Sequence, residues 1–471
     1  MSSSELKGLK VAVAGLGVSG QAAALAVKAR GGIVTALDEK PGDSGALLQV
    51  ADRLTGAGIS VVTGWPGRLD AKDFDILVVS PGIRINHPVM QDMAGKVWGE
   101  VELAWRISQA PLMAVTGTNG KSTVTVLAWM FLQAEGKKAV LCGNIAGSGF
   151  PEMALTQAAS ESYPDQILAS EISSFQLETV HDFRPMSAGV TVITPDHLDR
   201  HASYQEYRRC KLRLVSQMGI GDRVVAPCHV DDPRPEELFR LAPNATHVGV
   251  DPSGRTHGIG SIVRRDGSQL FLGDQRIGLD ELQVPGEHFA ANVMMAWELA
   301  SAFTSLGSAS VEALKGFKGL NHRMEAIGER GGVKVINNSM CTNPGAAAAS
   351  ILALKATGQG KIHLIMGGSP KNMGEEEFLP LKQVLRDNDC HVRLIGPNPE
   401  LFKRLLGVEF SAFNSMEAAF GDCAASAQKG EVVMLAPACA STAPYANFRE
   451  RGDAFRSIAL AWLDAGQEIQ G

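Results

Sequence analysis

The stretch Leu112-Met113-Ala114-Val115-Thr116-Gly117-Thr118-Asn119-Gly120-Lys121-Ser122-Thr123 decides how this chain is read. Leu112–Thr116 is an apolar strand, the glycines open a turn, and a helix follows over Ser122–Ala134. Val124, Leu127 and Phe131 recur on that helix at helical spacing, and Gly136 stops it. Backbone amides of such a turn cradle phosphates. Lys121 neutralises β- and γ-phosphate charge, and a hydroxyl of Ser122 or Thr123 reaches Mg2+. Val115 stands where the usual GxxxxGK[ST] spacing has its first glycine. Every other part is in place, so Gly117, Thr118, Asn119, Gly120, Lys121, Ser122 and Thr123 are expected to hold a triphosphate; the plainer reading is a structural loop.

The same strand–turn–helix rhythm runs outward in both directions and predicts α/β architecture, with parallel sheets covered by helices. A first block has strand Val11–Ala14, a glycine turn, helix Ser19–Arg30, strand Ile33–Leu37 and strand Ile76–Ser80. A second opens near Gly99, with further strands at Ala139–Cys142, Gln166–Ser170 and Val190–Thr194. Pro227–Gln283, rich in Gly, Pro, Asp and Arg, reads as a β-rich lobe inside it. A third starts near Asn321, with strands Lys334–Ile336, Ile362–Met366, Val392–Ile395 and Val432–Leu435. The expected domains are 1–98, 99–319 and 320–471.

At 471 residues with a net charge of −6 and no basic block, the chain is not expected to bind nucleic acid generally. Seven cysteines at scattered spacing, with no CxxC pair, read as reduced cytosolic thiols. No apolar run approaches the ~18 residues of a membrane span, and the glycine pattern near the start argues against a signal peptide. A cytoplasmic location is expected.

Other motifs carry chemistry with less specificity. Gly15-Leu16-Gly17-Val18-Ser19-Gly20 has the spacing of a dinucleotide-binding turn, with Asp38 closing the next strand. Val18, Ser19 and Asp38 are candidate contacts for a nucleotide diphosphate; NAD and a purely structural turn stay open. Glu171 follows an apolar strand and fits either a Mg2+ ligand or a helix-start carboxylate. His197, in Thr194-Pro195-Asp196-His197-Leu198-Asp199-Arg200-His201, fits a metal or phosphate contact oriented by Asp199 or Arg200, or a structural histidine. Lys211, in Tyr207-Arg208-Arg209-Cys210-Lys211, reads on composition as a solvated helix lysine. Arg323 fits stabilisation of transferring charge, and Lys371, after Gly367-Gly368, fits pairing with a small carboxylate.

Taken together and in order, these motifs resemble the Mur ligases of peptidoglycan assembly. The matching pieces are GLGVSG, SPGI before His87-Pro88, GTNGKST, GNIAG, EISSFQLE, DHLDRH, YRRCKLR, GEH with Asn292, NHRME, SMCTN, GGSPK and PACAS.

The resemblance implies a Rossmann-like N-terminal domain binding a UDP substrate, a central P-loop ATPase domain and a Rossmann-like C-terminal domain binding an amino acid. It implies ATP-dependent addition of glutamate, D-glutamate expected, to UDP-N-acetylmuramoyl-L-alanine through an acyl phosphate. Asp38 would reach uridine, and Asn144 and His197 the diphosphate–muramoyl part. Asn292 and Arg323 would sit at the nucleotide. Ser122, Glu171, His197 and a carbamylated Lys211 would serve two Mg2+ ions. Thr342, Lys371, Ser441 and Phe448 would hold glutamate. A monomer that brings its domains together is expected.

Three positions depart from the family pattern. Phe289 stands where the family has Asn after a histidine, and Asn338-Ser339-Met340 stands where it has Asp-Ser-Lys. The alternatives are a related ligase using L-glutamate or another amino acid, a divergent nucleotide-binding paralogue, and, on GLGVSG alone, a NAD oxidoreductase.

Overall fold

The computed structural model describes residues 6–42, 45–228, 234–254, 260–284, 286–396 and 398–465. Three α/β lobes follow one another along the chain, each around its own main sheet. The first sheet is wholly parallel, in the order Ser60–Thr63, Ile33–Asp38, Lys10–Ala14, Ile76–Val79, Val97–Gly99. The second is also parallel: Thr246–Val250, Arg223–Pro227, Ser187–Val190, Leu112–Thr116, Gln166–Glu171, Lys138–Gly143. The third runs Glu325–Arg330, Val333–Asn337, Val432–Leu435, Ile362–Met366, Cys390–Ile395, Phe410–Phe413. Only its first pair is antiparallel.

Strand Leu112–Thr116 is buried along its whole length, as a strand covered by helices on both faces must be. Helix Lys121–Ala134 packs beside helix Glu287–Ala300, where the Phe131 and Trp297 rings meet edge-on at 5.3 Å. The N-terminal and central lobes share one apolar core, from Val11 and Val78 through Leu103 to Leu168 and Val190. Arg30 crosses that junction, donating to Ser160 Oγ at 2.9 Å.

Two expectations are corrected. The strand placed at Val190–Thr194 is Ser187–Val190. Thr191–Thr194 leaves the sheet because its polar groups bind the phosphate loop: Thr191 Oγ1 donates to Asn119 O at 2.7 Å and Thr118 N to Val192 O at 2.7 Å. Pro227–Gln283 is not one β-rich lobe. Helix Arg234–Leu241 and strand Thr246–Val250 complete the central parallel sheet. Only Val263–Gly278 is a separate three-stranded antiparallel sheet. Residues 229–233 and 255–259 of this stretch lie outside the described residues. No helix among the described residues is long and apolar enough to cross a membrane.

Candidate active site

The loop Gly117–Gly120 leaves the carboxyl end of a central strand, between Glu171 on one side and Thr191 on the other. That is where parallel α/β sheets place ligands. Gly120 caps helix Lys121–Ala134 with φ +89, and a Cβ there would lie 2.6 Å from Asn292 Oδ1. Glycine is favoured by the left-handed conformation, and any side chain there would have to push the Asn292 amide aside. The Lys121 ammonium folds back onto Thr118 O at 2.8 Å. Burial lowers its pKa, Glu171 opposes that, and Arg323 adds to it. Ser122 and Thr123 are buried in the first helical turn.

Glu171 ends the neighbouring strand and is 2% exposed. Its Oε1 accepts from Asn144 Nδ2 at 2.9 Å, while its Oε2 is buried with no hydrogen-bond partner. An unpaired buried carboxylate oxygen is costly unless a cation or donor completes it. This residue therefore fits a metal-ligand role, although no group of three His, Cys, Asp or Glu side chains clusters as a ready metal cage among the described residues.

Lys211 corrects the reading from composition. It lies on the inward face of helix Tyr204–Leu212 with Tyr207 and Cys210, and is 2% exposed. Its Nζ donates to Gly117 O at 2.6 Å and sits 4.7 Å over the Tyr207 ring. Burial, then the nearby Lys121 ammonium, holds its pKa well below the usual lysine range. Lys211 thus stands beside the phosphate loop as an amine biased toward its neutral form.

His197 has a left-handed backbone (φ 54) and packs against Phe175 at 4.9 Å. Burial pushes its pKa down to about 4, against the pull of Asp196. Its neighbour in charge is Asp196, 3.8 Å away, and not Asp199 or Arg200. Asp199 is exposed, and Arg200 pairs with Glu178 at 2.6 Å. Asp196, which the sequence did not single out, is the buried carboxylate where two lobes meet. Its Oδ1 takes Lys371 Nζ at 2.8 Å and its Oδ2 takes Asn343 Nδ2 at 3.4 Å. Burial alone raises its pKa, but Lys371 and His197 outweigh burial and hold it low.

On the C-terminal lobe, Lys371 Nζ also reaches Thr342 Oγ1 at 3.3 Å. Ser369 pairs with Ala440 through two backbone hydrogen bonds of 2.9 Å, which brings Ser441 to the same edge. The Ser441 hydroxyl is buried without a partner. Phe448 opens the last helix, its carbonyl accepting from Ser339 Oγ at 2.7 Å and its ring edge-on to His322. Asn343 caps the helix Pro344–Ala356 and contacts Asn119 of the phosphate loop at 3.3 Å. Arg323 acts electrostatically on Lys121 and Glu171 from the start of this lobe.

The N-terminal turn is separate from this group. Gly20 lies so close to the Gly15 carbonyl that no Cβ fits. Both Asp38 oxygens are engaged by backbone, from Leu16 N at 2.8 Å and Lys40 N at 3.0 Å. Val18 is exposed and Ser19 half-buried at the helix start. The loop that follows strand Ile76–Val79 is joined to the His197 loop: Arg200 Nη2 donates to Ile83 O at 3.0 Å and Arg84 Nη1 to Asp199 O at 3.1 Å.

Comparison with known proteins bears on the family of the whole chain. The Mur ligase middle domain matches residues 115–300, and the Mur ligase glutamate ligase domain matches residues 322–439. The UDP-N-acetylmuramoylalanine–D-glutamate ligase of Caldanaerobacter subterraneus subsp. tengcongensis is 35% identical, over 97% of this chain and 99% of that protein. The enzyme of the same name from Lactococcus lactis is 34% identical, over 96% and 97%. The chain belongs to the Mur ligase family. This Mur ligase is an ADP-forming ligase, and the family uses ATP and Mg2+. The solved MurF ligase of Thermotoga maritima in complex with ADP has the same fold, with a TM-score of 0.58 at 15% identity over 85% of this chain and 91% of that one. A pseudomurein peptide ligase type C from Methanothermus fervidus gives 0.56 at 16% identity, over 96% and 99%.

The departures from the Mur ligase pattern are well packed. Phe289 is buried and stacks on Phe317, with planes 2° apart and centroids at 5.6 Å. Asn338 donates to Ser350 Oγ at 2.8 Å and accepts from Met324 N at 3.1 Å. Met340 lies under Arg323.

Proposed function

We propose that this Mur ligase adds D-glutamate to UDP-N-acetylmuramoyl-L-alanine, with release of ADP and phosphate, in the synthesis of peptidoglycan precursors. What supports it is one interface: the phosphate loop, Glu171 and Lys211 belong to the central lobe, Lys371 and Thr342 to the C-terminal lobe, and the two lobes are joined there by Lys371 on Asp196 and Asn343 on Asn119. The three expected divisions, 1–98, 99–319 and 320–471, then correspond to the two partners to be joined and the ATP site between them. The work takes place in the cytoplasm, by a monomer.

A carboxylate is a poor acyl donor because its leaving group is oxide. Transfer of the γ-phosphoryl group onto the alanyl carboxylate breaks the Pβ–O–Pγ bridge, releases ADP and forms an acyl phosphate. Attack by the glutamate amine forms the amide, and phosphate leaves with the carboxylate oxygen while the amine loses its proton. Gly117, Thr118, Asn119 and Gly120 offer backbone to the phosphates, Lys121 offsets their charge, and Asn292 and Arg323 flank the nucleotide. Ser122, Glu171 and His197 would hold Mg2+, which when bound screens ATP from the approaching carboxylate. The unpaired Glu171 Oε2 supports that assignment.

Lys211 is carbamylated in this reading. Its neutral amine forms an N–C bond to CO2 and loses one proton, so an uncharged amine becomes a carboxylate-like anion beside the loop. Lowered basicity and contact with Gly117 support it. Val18, Ser19, Asp38 and Asn144 serve the UDP substrate. Thr342, Lys371, Ser441 and Phe448 hold the incoming glutamate. The test is phosphate release from ATP with each substrate omitted in turn and with both glutamate enantiomers. Release that needs the UDP substrate and D-glutamate is expected; release indifferent to both, or driven by L-glutamate or another amino acid instead, contradicts the proposal.

A further inference from the structure

Arg323 sits in an unusual turn. Its neighbours His322 and Met324 both have left-handed backbones, with φ 60 and φ 47. Strain of this kind persists only where the surroundings over-determine it. Segment Asn338–Met340 supplies that constraint at every residue of the turn. Met340 N donates to His322 O at 2.9 Å, and Asn338 Oδ1 accepts from Met324 N at 3.1 Å. The Met340 thioether accepts from Arg323 itself, at 3.4 Å from Nε and 3.2 Å from Nη2.

The choice of acceptor matters. Sulfur is a weak acceptor and carries no charge. Among the described residues no carboxylate forms an ion pair with Arg323. Its guanidinium is held by one edge yet keeps its full positive charge, in the electrostatic field of Lys121 and Glu171 at the phosphate loop. A carboxylate at position 340 would neutralise it, and an ammonium would repel it.

We propose that Asn338 and Met340 are positioning residues that aim the Arg323 guanidinium at the triphosphate without quenching its charge. The inference rests on ATP binding at this loop, as in the proposed function. It makes the two uncharged substitutions a rebuilt seat for Arg323 and not the decay of a nucleotide site.

The test is the Kd for Mg2+–ATP by titration calorimetry on the full chain, with melting temperature measured alongside. Met340→Leu keeps the volume and loses the acceptor, so a rise in Kd of roughly three- to tenfold is expected with little change in melting temperature. Met340→Gln restores an uncharged acceptor and is expected to recover most of the affinity. Asn338→Ala, which frees Met324 N, provides an independent arm expected to weaken binding in the same direction. Equal Kd for wild type and Met340→Leu, or equal losses for Leu and Gln, would overturn the proposal. Wild type that binds ATP without ligating would fail the proposed reaction alone; wild type that binds no ATP would fail both.

Discussion

Lys371 Nζ lies 2.8 Å from Asp196 Oδ1, a buried ion pair that joins the C-terminal lobe to the loop carrying His197. The cation assigned to the incoming amino acid is therefore held in place by an internal carboxylate, with Asn343 on the other oxygen of the same group. Lys371→Ala removes both the substrate contact and the counter-ion. The KM for glutamate is expected to rise roughly tenfold or more while that for ATP changes far less. Because Asp196 is left buried without its cation, thermal stability is expected to fall by up to about 3 kcal/mol, the remaining hydrogen bonds from Asn343 and His197 N offsetting part of the loss. Steady-state kinetics and thermal unfolding check both; a rise confined to the ATP KM would remove Lys371 from the acceptor pocket.

Lys121 is the loop's own cation, poised at the helix start with its ammonium on Thr118 O. Lys121→Ala is expected to lower kcat by at least about a hundredfold with the fold intact. Turnover and circular dichroism test this. Retained turnover would mean that the phosphates lie elsewhere.

Lys211→Ala is expected to cut activity sharply, with partial rescue by acetate or another small acid, because a carboxylate-like group is missing. Lys211→Arg, always charged, is expected not to be rescued. Unchanged turnover in Lys211→Ala would show that carbamate formation has no part in the reaction.

His197 stays neutral across ordinary working pH, since burial pushes its pKa down to about 4. Its unfolded value is near 6.5, so between about 6.5 and 4 the unfolded chain binds more protons and stability falls on acidification. Asp196, whose pKa is lowered in the fold, acts in the same direction: its contribution is present above the unfolded value and is lost as pH falls. The melting temperature is expected to drop as pH goes from 7 to 4, and His197→Gln is expected to flatten that drop. An unchanged slope in His197→Gln would assign the loss to other groups.

Gly120→Ala tests the loop's geometry. A methyl group there meets Asn292 Oδ1 in a backbone conformation that suits glycine, φ +89. ATP affinity is expected to fall at least about tenfold. Wild-type affinity would show that the loop tolerates movement.

Much of this arrangement is legible in the sequence, for a physical reason. Strand Leu112–Thr116, glycine turn and helix are local features, and their apolar run, glycines and lysine all point the same way. The three-lobe order follows from the repeated rhythm, whereas the central position of that strand is seen only in the fold. What was not legible depends on long-range contact. Lys211 looks solvated because four of five residues in Tyr207–Lys211 are polar or reactive; Tyr207 and Cys210 turning inward with it is the signal that was available. Thr191–Thr194 reads as strand because Val192 and Ile193 are β-formers, but the phosphate loop captures its polar groups. Asp196 drew no notice beside His197, since its partners Lys371 and Asn343 lie in another lobe. Seven free cysteines, five of them buried, agree with the scattered spacing.

The most direct measurement follows one oxygen. The alanyl carboxylate of UDP-N-acetylmuramoyl-L-alanine is labelled with 18O, the ligase reaction is run with ATP and D-glutamate, and the released phosphate is analysed by mass spectrometry. Phosphoryl transfer from the Gly117–Thr123 loop onto that acid carries one labelled oxygen into the phosphate for each amide formed. Amide product accompanied by unlabelled phosphate contradicts it.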